Sequence, residues 1–397
     1  MQGSDTPTCD ILILGSGPSG LSTALHLHKI APHLASRIMI LEKEHYPRQK
    51  LCAGGLVVDA ERILQHLHLD VSEVPHVDVE KVHFEFEGKG LTIRNPGTHV
   101  LRVIRRDEFD AWLAEKTRES GIEIREGITV KNVIPDEGCV TVETDQGDFR
   151  AQMVVGADGS NGITRRCVLL NEPVSTARVL EVLAPSLPPP NSLNLGEVPA
   201  GRWGSGAAFF DFFPIPQNIA GYVWDFPTQI NGEPMRCWGV YDTNLLSYNA
   251  RPALKEPLAQ EMKRAGYELS DYEIQGYPIR WYSPQNTVSV PRVILVGDAI
   301  GADPFFGEGI SIALGYGAVA AQEIRESFRR GDFSFRGYKR RLARSALGQT
   351  LTARWIITTM IYTLKWRWFQ FLLWRLLKPI VHFVAWAFVL NWSRRLK

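Results

Sequence analysis

The sequence has little of what announces metal or disulfide chemistry. Its five cysteines, Cys9, Cys52, Cys139, Cys167 and Cys237, are scattered, with no CxxC pair and no histidine at zinc spacing. Neither a metal site nor a disulfide framework is therefore expected. The first strand starts by Asp10, which leaves no room for a cleavable leader and points to a reducing, cytoplasmic compartment. No low-complexity stretch or internal repeat is present. Acidic residues stop at Asp332: residues 333–397 carry 13 of the 44 Lys and Arg and no Asp or Glu, leaving 31 basic against 43 acidic residues before them. A formal charge of +1 thus hides an acidic body with a basic tail. Composition is otherwise globular, 45% hydrophobic and 22% charged, and 397 residues allow two domains and an appendage.

What is present begins with a glycine turn, Gly15-Ser16-Gly17-Pro18-Ser19-Gly20, between the apolar run Ile11–Leu14 and a helical stretch opening at Leu21. Strand, glycine turn and helix N-terminus make a diphosphate cradle: the glycines let the backbone approach, and the amides and helix dipole favour negative charge. A second strand, Arg37–Leu41, ends at Glu42, 22 residues past Gly20, where an acid accepts the ribose hydroxyls of an adenine dinucleotide. Lys43 follows it and joins Glu42 as a candidate cofactor contact.

Two more apolar strands end in glycine turns: Met153-Val154-Val155-Gly156 before Ala157-Asp158-Gly159, and Val293–Val296 before Gly297-Asp298-Ala299. The carboxylate of Asp298 suits a polyol chain, although a helix-capping role would leave the same trace. Gly307-Glu308-Gly309-Ile310 opens a helix whose N-terminal amides suit negative charge on a reduced ring. These features fit a flavin and have little use in a nicotinamide dehydrogenase. Between Tyr46 and Leu56 the chain is rich in glycine and basic residues; it is either a plain turn or a backbone laid against a cofactor ring, with Arg48 or Lys50 near its phosphates or electron-rich edge. From about 175 to 285 prolines and short aromatic strands replace helical periods, as expected of a mixed or antiparallel sheet inserted in the parallel one. There Tyr222, Trp224 and Phe226 alternate along one strand and share a face, as ordinary core or as the wall of an apolar substrate cavity.

The order and spacing of these three stations resemble the FAD-dependent oxidoreductases built like p-hydroxybenzoate hydroxylase, and within them the geranylgeranyl reductase family. The resemblance runs from about 10 to 345 and is carried by Lys50–Leu56, Arg106-Asp107-Glu108-Phe109-Asp110, Tyr222-Val223-Trp224-Asp225-Phe226-Pro227, and Gly297 through Pro304 to Ile310. It implies an α/β fold: a Rossmann-type FAD-binding domain (8–75, 101–172 and 286–345), an inserted mixed or antiparallel substrate sheet (76–100 and 173–285), and a helical tail (346–397). It places Cys52, Ala53 and Gly54 by the isoalloxazine ring, Arg106 and Pro304 among the flavin contacts, and Tyr222, Trp224, Phe226 and Pro227 in a prenyl-binding cavity. Two positions depart from the pattern: Gly162 stands where the family usually has serine, and Asp303 where an apolar residue is expected.

The tail is very apolar, and 355–392 holds six of the eleven tryptophans. Its longest charge-free runs, Trp355–Leu364 and Pro379–Trp392, are ten and fourteen residues, short of the roughly 18–20 that span a bilayer. Arg367, Arg375 and Lys378 share an arc, which predicts an interfacial helix with a basic edge on a membrane surface; packing on the body or on a partner is the alternative. Bulky apolar residues interleave the charges, so no nucleic-acid role is expected. A tail of this kind should be removable without loss of the cofactor. The expected activity is reduction of carbon–carbon double bonds in a prenyl chain, with Cys52 and Tyr222 as unresolved candidates for the proton donor and NADPH or a small redox protein as electron source. Rival readings are a monooxygenase or halogenase, and a membrane-docked electron carrier acting on a quinone.

Overall fold

The computed structural model describes residues 8–95, 97–170, 172–173, 175–186, 206–246, 251–384 and 391–396. Its first sheet has the strand order Ser289–Val290, Val293–Leu295, Gly147–Gly156, Thr8–Leu14, Ile38–Leu41, Glu123–Arg125, with a hairpin of Val130–Pro135 and Val140–Thr144 alongside Gly147–Gly156. The central pairings are parallel. Ile11 to Leu14 are buried on both faces, which is why the run shows no polar alternation. The helix Pro18–Ile30 begins earlier than the apolar pattern suggests, because proline is well suited to a first turn whose amide has no helical partner. It packs on the helix Ile310–Arg330, with Ser22 donating to the Leu314 carbonyl at 2.7 Å.

A second sheet runs in the order Gln275–Gly276, Thr176–Pro185, Glu233–Asp242, Gly221–Ile230, Ala207–Asp211, Lys81–Phe86, Lys89–Arg94. It is antiparallel except where Ala207–Asp211 joins Lys81–Phe86, so it is mixed, as the aromatic and proline-rich texture predicts. A small sheet of Gly55–Val57, Leu101–Ile104 and His76–Val79 lies between the two, with a Cβ built on Gly55 only 3.2 Å from the Phe226 ring.

The tail differs from expectation. It is not one interfacial helix but a helix, Ala346–Thr363, followed by short turns Arg367–Phe371, Leu372–Leu376, Lys378–Val384 and Trp392–Arg395. These pack on the body. Trp374 stacks on Phe212 with centroids 4.2 Å apart, and Trp392 fills the space over Gly315. The Asp59 carboxylate accepts the amides of Asn391 at 2.9 Å and Ser393 at 2.8 Å. Two arginines of the basic edge are tied to the body: Arg367, though largely exposed, binds Glu87 through two 2.8 Å hydrogen bonds, and Arg375 reaches the Phe86 carbonyl. Many large apolar side chains also face outward: Ile356, Met360, Trp366, Trp368, Phe371, Leu376, Ile380 and Phe383 are all exposed. Among the described residues no helix is long and apolar enough to cross a membrane.

Candidate active site

Register brings the stations together. Leu14 is paired with both Leu41 and Gly156, and Gly156 with Leu295. The glycine turn, Glu42, Asp158-Gly159 and Gly297-Asp298 therefore leave the sheet at one carboxyl edge, where ligands of open α/β sheets bind. A Cβ on Gly20 would stand 2.1 Å from the Gly15 carbonyl oxygen, so the turn closes only with glycine there, whereas a Cβ on Gly17 would meet just the Arg48 guanidinium at 3.6 Å. Room thus exists above Gly17 and not below Gly20, as a phosphate cradle requires. Ser19 packs against Gly297, so the first and third stations touch. Glu42 accepts the Ser16 amide at 3.0 Å and hydroxyl at 2.8 Å.

From the cradle a clamp leads inward. The fully buried Asp110 holds Arg48 at 3.2 Å and Arg106 through two 2.8 Å hydrogen bonds. Arg48 lies over Gly17 while Arg106 lines a cavity of about 570 Å³. One extended anionic ligand with its phosphates at the turn and its ring in the cavity would touch both. The cavity wall takes Cys52, Ala53 and Gly54 from one side, Asp298, Gly307, Gly309 and Ile310 from another, and Tyr222, Trp224 and Phe226 from the second sheet. Pro227 falls on the opposite face of its strand, and Pro304 sits behind the wall, its carbonyl accepting the Tyr241 hydroxyl at 3.1 Å. Lys43 turns to solvent beside Glu44 at 3.3 Å, away from the cavity.

Both departures from the family pattern have structural partners. Asp158 accepts the Thr164 amide at 2.8 Å and hydroxyl at 2.9 Å, and a Cβ on residue 162 would stand 2.2 Å from its other carboxylate oxygen. Gly162 is what lets the carboxylate lie there. That second oxygen has no hydrogen-bond partner, and burial raises the pKa of Asp158, as it does that of Asp298. Asp303, fully buried, accepts the Phe305 amide at 2.8 Å and pairs with Arg354 of the tail at 2.9 Å. Arg354 also meets Glu308 at 3.2 Å. Glu308 takes the Ser311 amide at 2.8 Å, leaving Gly309 and Ile310 as the end of that helix open to a ligand. A charge brought in by the tail therefore stabilises the loop at the cavity. Three residues with roles here lack a sequence signature: Arg354, which is 51 residues from Asp303; Asp110, read only as a motif letter; and Glu181 on the cavity wall.

The groups fit a flavin dinucleotide. The cradle has room only at Gly17, Asp158 has an acceptor to spare, and Arg48 Nε, buried 3.6 Å from Glu42, has no hydrogen-bond partner. A family model described as FAD binding domain matches residues 8–206. The chain belongs to the FAD binding domain family. It is an FAD-dependent oxidoreductase whose motifs resemble those of geranylgeranyl reductases. It is 24% identical to digeranylgeranylglycerophospholipid reductase of Thermoplasma acidophilum, covering 82% of this chain and 80% of that protein. It is also 24% identical to protein FixC of Salmonella typhimurium, covering 82% and 78%. Among solved structures it is similar to a geranylgeranyl bacteriochlorophyll reductase-like protein of Thermoplasma acidophilum (TM-score 0.75, 20% identity, 98% and 96% of the two chains). It is likewise similar to the flavin-dependent brominase Bmp2 (TM-score 0.68, 17% identity, 98% and 94%).

Proposed function

We propose that this protein reduces carbon–carbon double bonds in prenyl chains of lipids or lipid precursors. One observation carries the reading: the cavity joins the Cys52–Gly54 loop and the Asp298 turn to a wall of Phe84, Phe210, Tyr222, Trp224 and Phe226, and its outer rim carries Arg62, Arg94 and Arg394. An apolar, aromatic interior with basic groups at the mouth fits an amphiphile with an anionic end. Bound FAD, once reduced, would supply the hydride. The chain's own part is to seat the dinucleotide between Gly17 and Arg48, exclude water with the aromatic wall, and hold an acid within reach of the alkene, which is a poor hydride acceptor unless one carbon is protonated as hydride arrives. The exposed apolar face of the tail fits a peripheral membrane seat where such lipids reside. No second glycine fingerprint is visible, which favours transient contact with NADPH or a small redox protein.

The test is anaerobic incubation of the photoreduced holoenzyme with prenyl lipids, followed by mass spectrometry. A gain of two hydrogens per double bond is the expected result. Product that forms only with oxygen or halide would replace the reading with the monooxygenase or halogenase, and flavin reoxidised only by a quinone would replace it with the electron carrier.

A further inference from the structure

Cys52, Tyr222 and Glu181 line the cavity with other protic groups, of which Glu308 is held by Arg354 at 3.2 Å, the Tyr241 hydroxyl donates to the Pro304 carbonyl at 3.1 Å, and Asp298 ends the strand at the cofactor turn. Cys52 and Tyr222 are already engaged. The Tyr222 hydroxyl already donates to the Phe306 carbonyl, and burial lifts its pKa well above the usual value. The Cys52 sulfur accepts the Gly54 amide at 3.4 Å, and burial raises its pKa as well.

Glu181 differs. It lies in the strand Thr176–Pro185 opposite Gly239, 5% exposed, with its carboxyl approached by the Cys52 amide, the Cys237 thiol and, at longer range, Arg105. Among the described residues no cation lies within ion-pair distance of it, and Arg106, next to Cys52, is committed to Asp110. Burial without a counter-ion raises its pKa to about 7, the poise that suits a general acid at neutral pH. A glutamate needed only for shape would be better tolerated as glutamine, because an unpaired buried carboxylate is costly.

We propose that Glu181 is the catalytic acid, its carboxyl O–H breaking as a C–H bond forms at one alkene carbon. This rests on the reductase reading. Bound FAD, once reduced, would supply the two-electron hydride equivalent for the second C–H bond as the π bond is consumed. The carboxylate then regains a proton from water at the cavity mouth.

Two measurements on the FAD-loaded protein test this. Infrared difference spectra of wild type against Glu181→Gln, recorded across pH, should show a protonated carboxyl band that titrates near neutrality and is missing from the variant. Single-turnover reoxidation of the photoreduced protein by a prenyl lipid should slow by roughly 10²–10⁴ in Glu181→Gln, with the flavin absorbance unchanged and Glu181→Asp partly restored. Absence of the band, or a Glu181→Gln rate and pH profile equal to wild type, would overturn the inference while leaving the reductase reading intact. A wild type inert toward every prenyl lipid would overturn both.

Discussion

Replacing Arg354 by methionine tests whether the tail is part of the active-site body. Arg354 is 3% exposed and its Nη1 serves Asp303 and Glu308 together. Methionine keeps the apolar stem and strips the charge, so two carboxylates remain in the interior, one with two backbone donors and one capping a helix. Breaking a buried ion pair from one side costs about 3–5 kcal/mol. At about 2 °C per kcal/mol for a chain of this size, the melting temperature should fall by about 6–10 °C. The deficit must depend on pH in a definite direction. Burial already raises Glu308, and losing Arg354 raises it further. A raised folded-state pKa favours the folded protein below the unfolded value, near 4.3 for glutamate, and that benefit is lost as pH rises through the folded value. The difference between variant and wild type should thus be widest at pH 8 and shrink toward pH 5. Adding Asp303→Asn to the variant should recover part of the loss, since the orphaned charge is then gone. Thermal unfolding followed by near-ultraviolet circular dichroism reads all of this. A pH-independent loss, or additive losses in the double variant, would refute the argument.

Gly162→Ser, which restores the usual family residue, should cost roughly 1–3 kcal/mol and lower flavin retention on gel filtration, because the new Cβ pushes Asp158 off Thr164. Glu181→Gln should stabilise the protein by up to about 3 kcal/mol at pH 8, where the wild-type carboxylate is buried and charged, with no gain at pH 5; calorimetric melting at the two values checks it. Truncation at residue 345 should yield insoluble protein rather than a soluble holoenzyme, since each of the buried Trp374 and Trp392 is worth roughly 3–5 kcal/mol against a total of roughly 5–15. A soluble, yellow truncation product would show the tail to be an appendage after all. Trp366→Ser with Trp368→Ser should abolish flotation with anionic vesicles while the flavin spectrum persists; unchanged flotation would sink the membrane seat.

The dinucleotide half of the site was legible because its physics is local. A buried parallel strand writes itself as an unbroken apolar run, and a turn that lets Gly20 touch the Gly15 carbonyl admits one residue type. The aromatic wall was half legible: alternation puts Tyr222, Trp224 and Phe226 on one face, but only the neighbouring loop shows that this face borders a cavity. Glu181 left no trace, since a lone acid in an alternating strand reads as a solvent-facing residue until another element covers it. Asp303 looked anomalous for the same reason, its partner being far along the chain. The tail misled because it is apolar on more than one side: burying Trp374 and Trp392 still leaves Trp366 and Trp368 in the open, and helical periodicity cannot say which side meets the body.

The docking of Asn391 and Ser393 on Asp59 also makes the substrate chamber a product of long-range closure. Asp59 lies in the helix Val58–His66, 332 residues from Asn391, and contacts across so long a stretch carry a large closure entropy and belong to the late steps of folding. Asp59, Asn391 and Arg394 all line the cavity, so its wall is complete only when that closure has been made, and any change that loosens Asp59 should open the chamber without touching the aromatic wall.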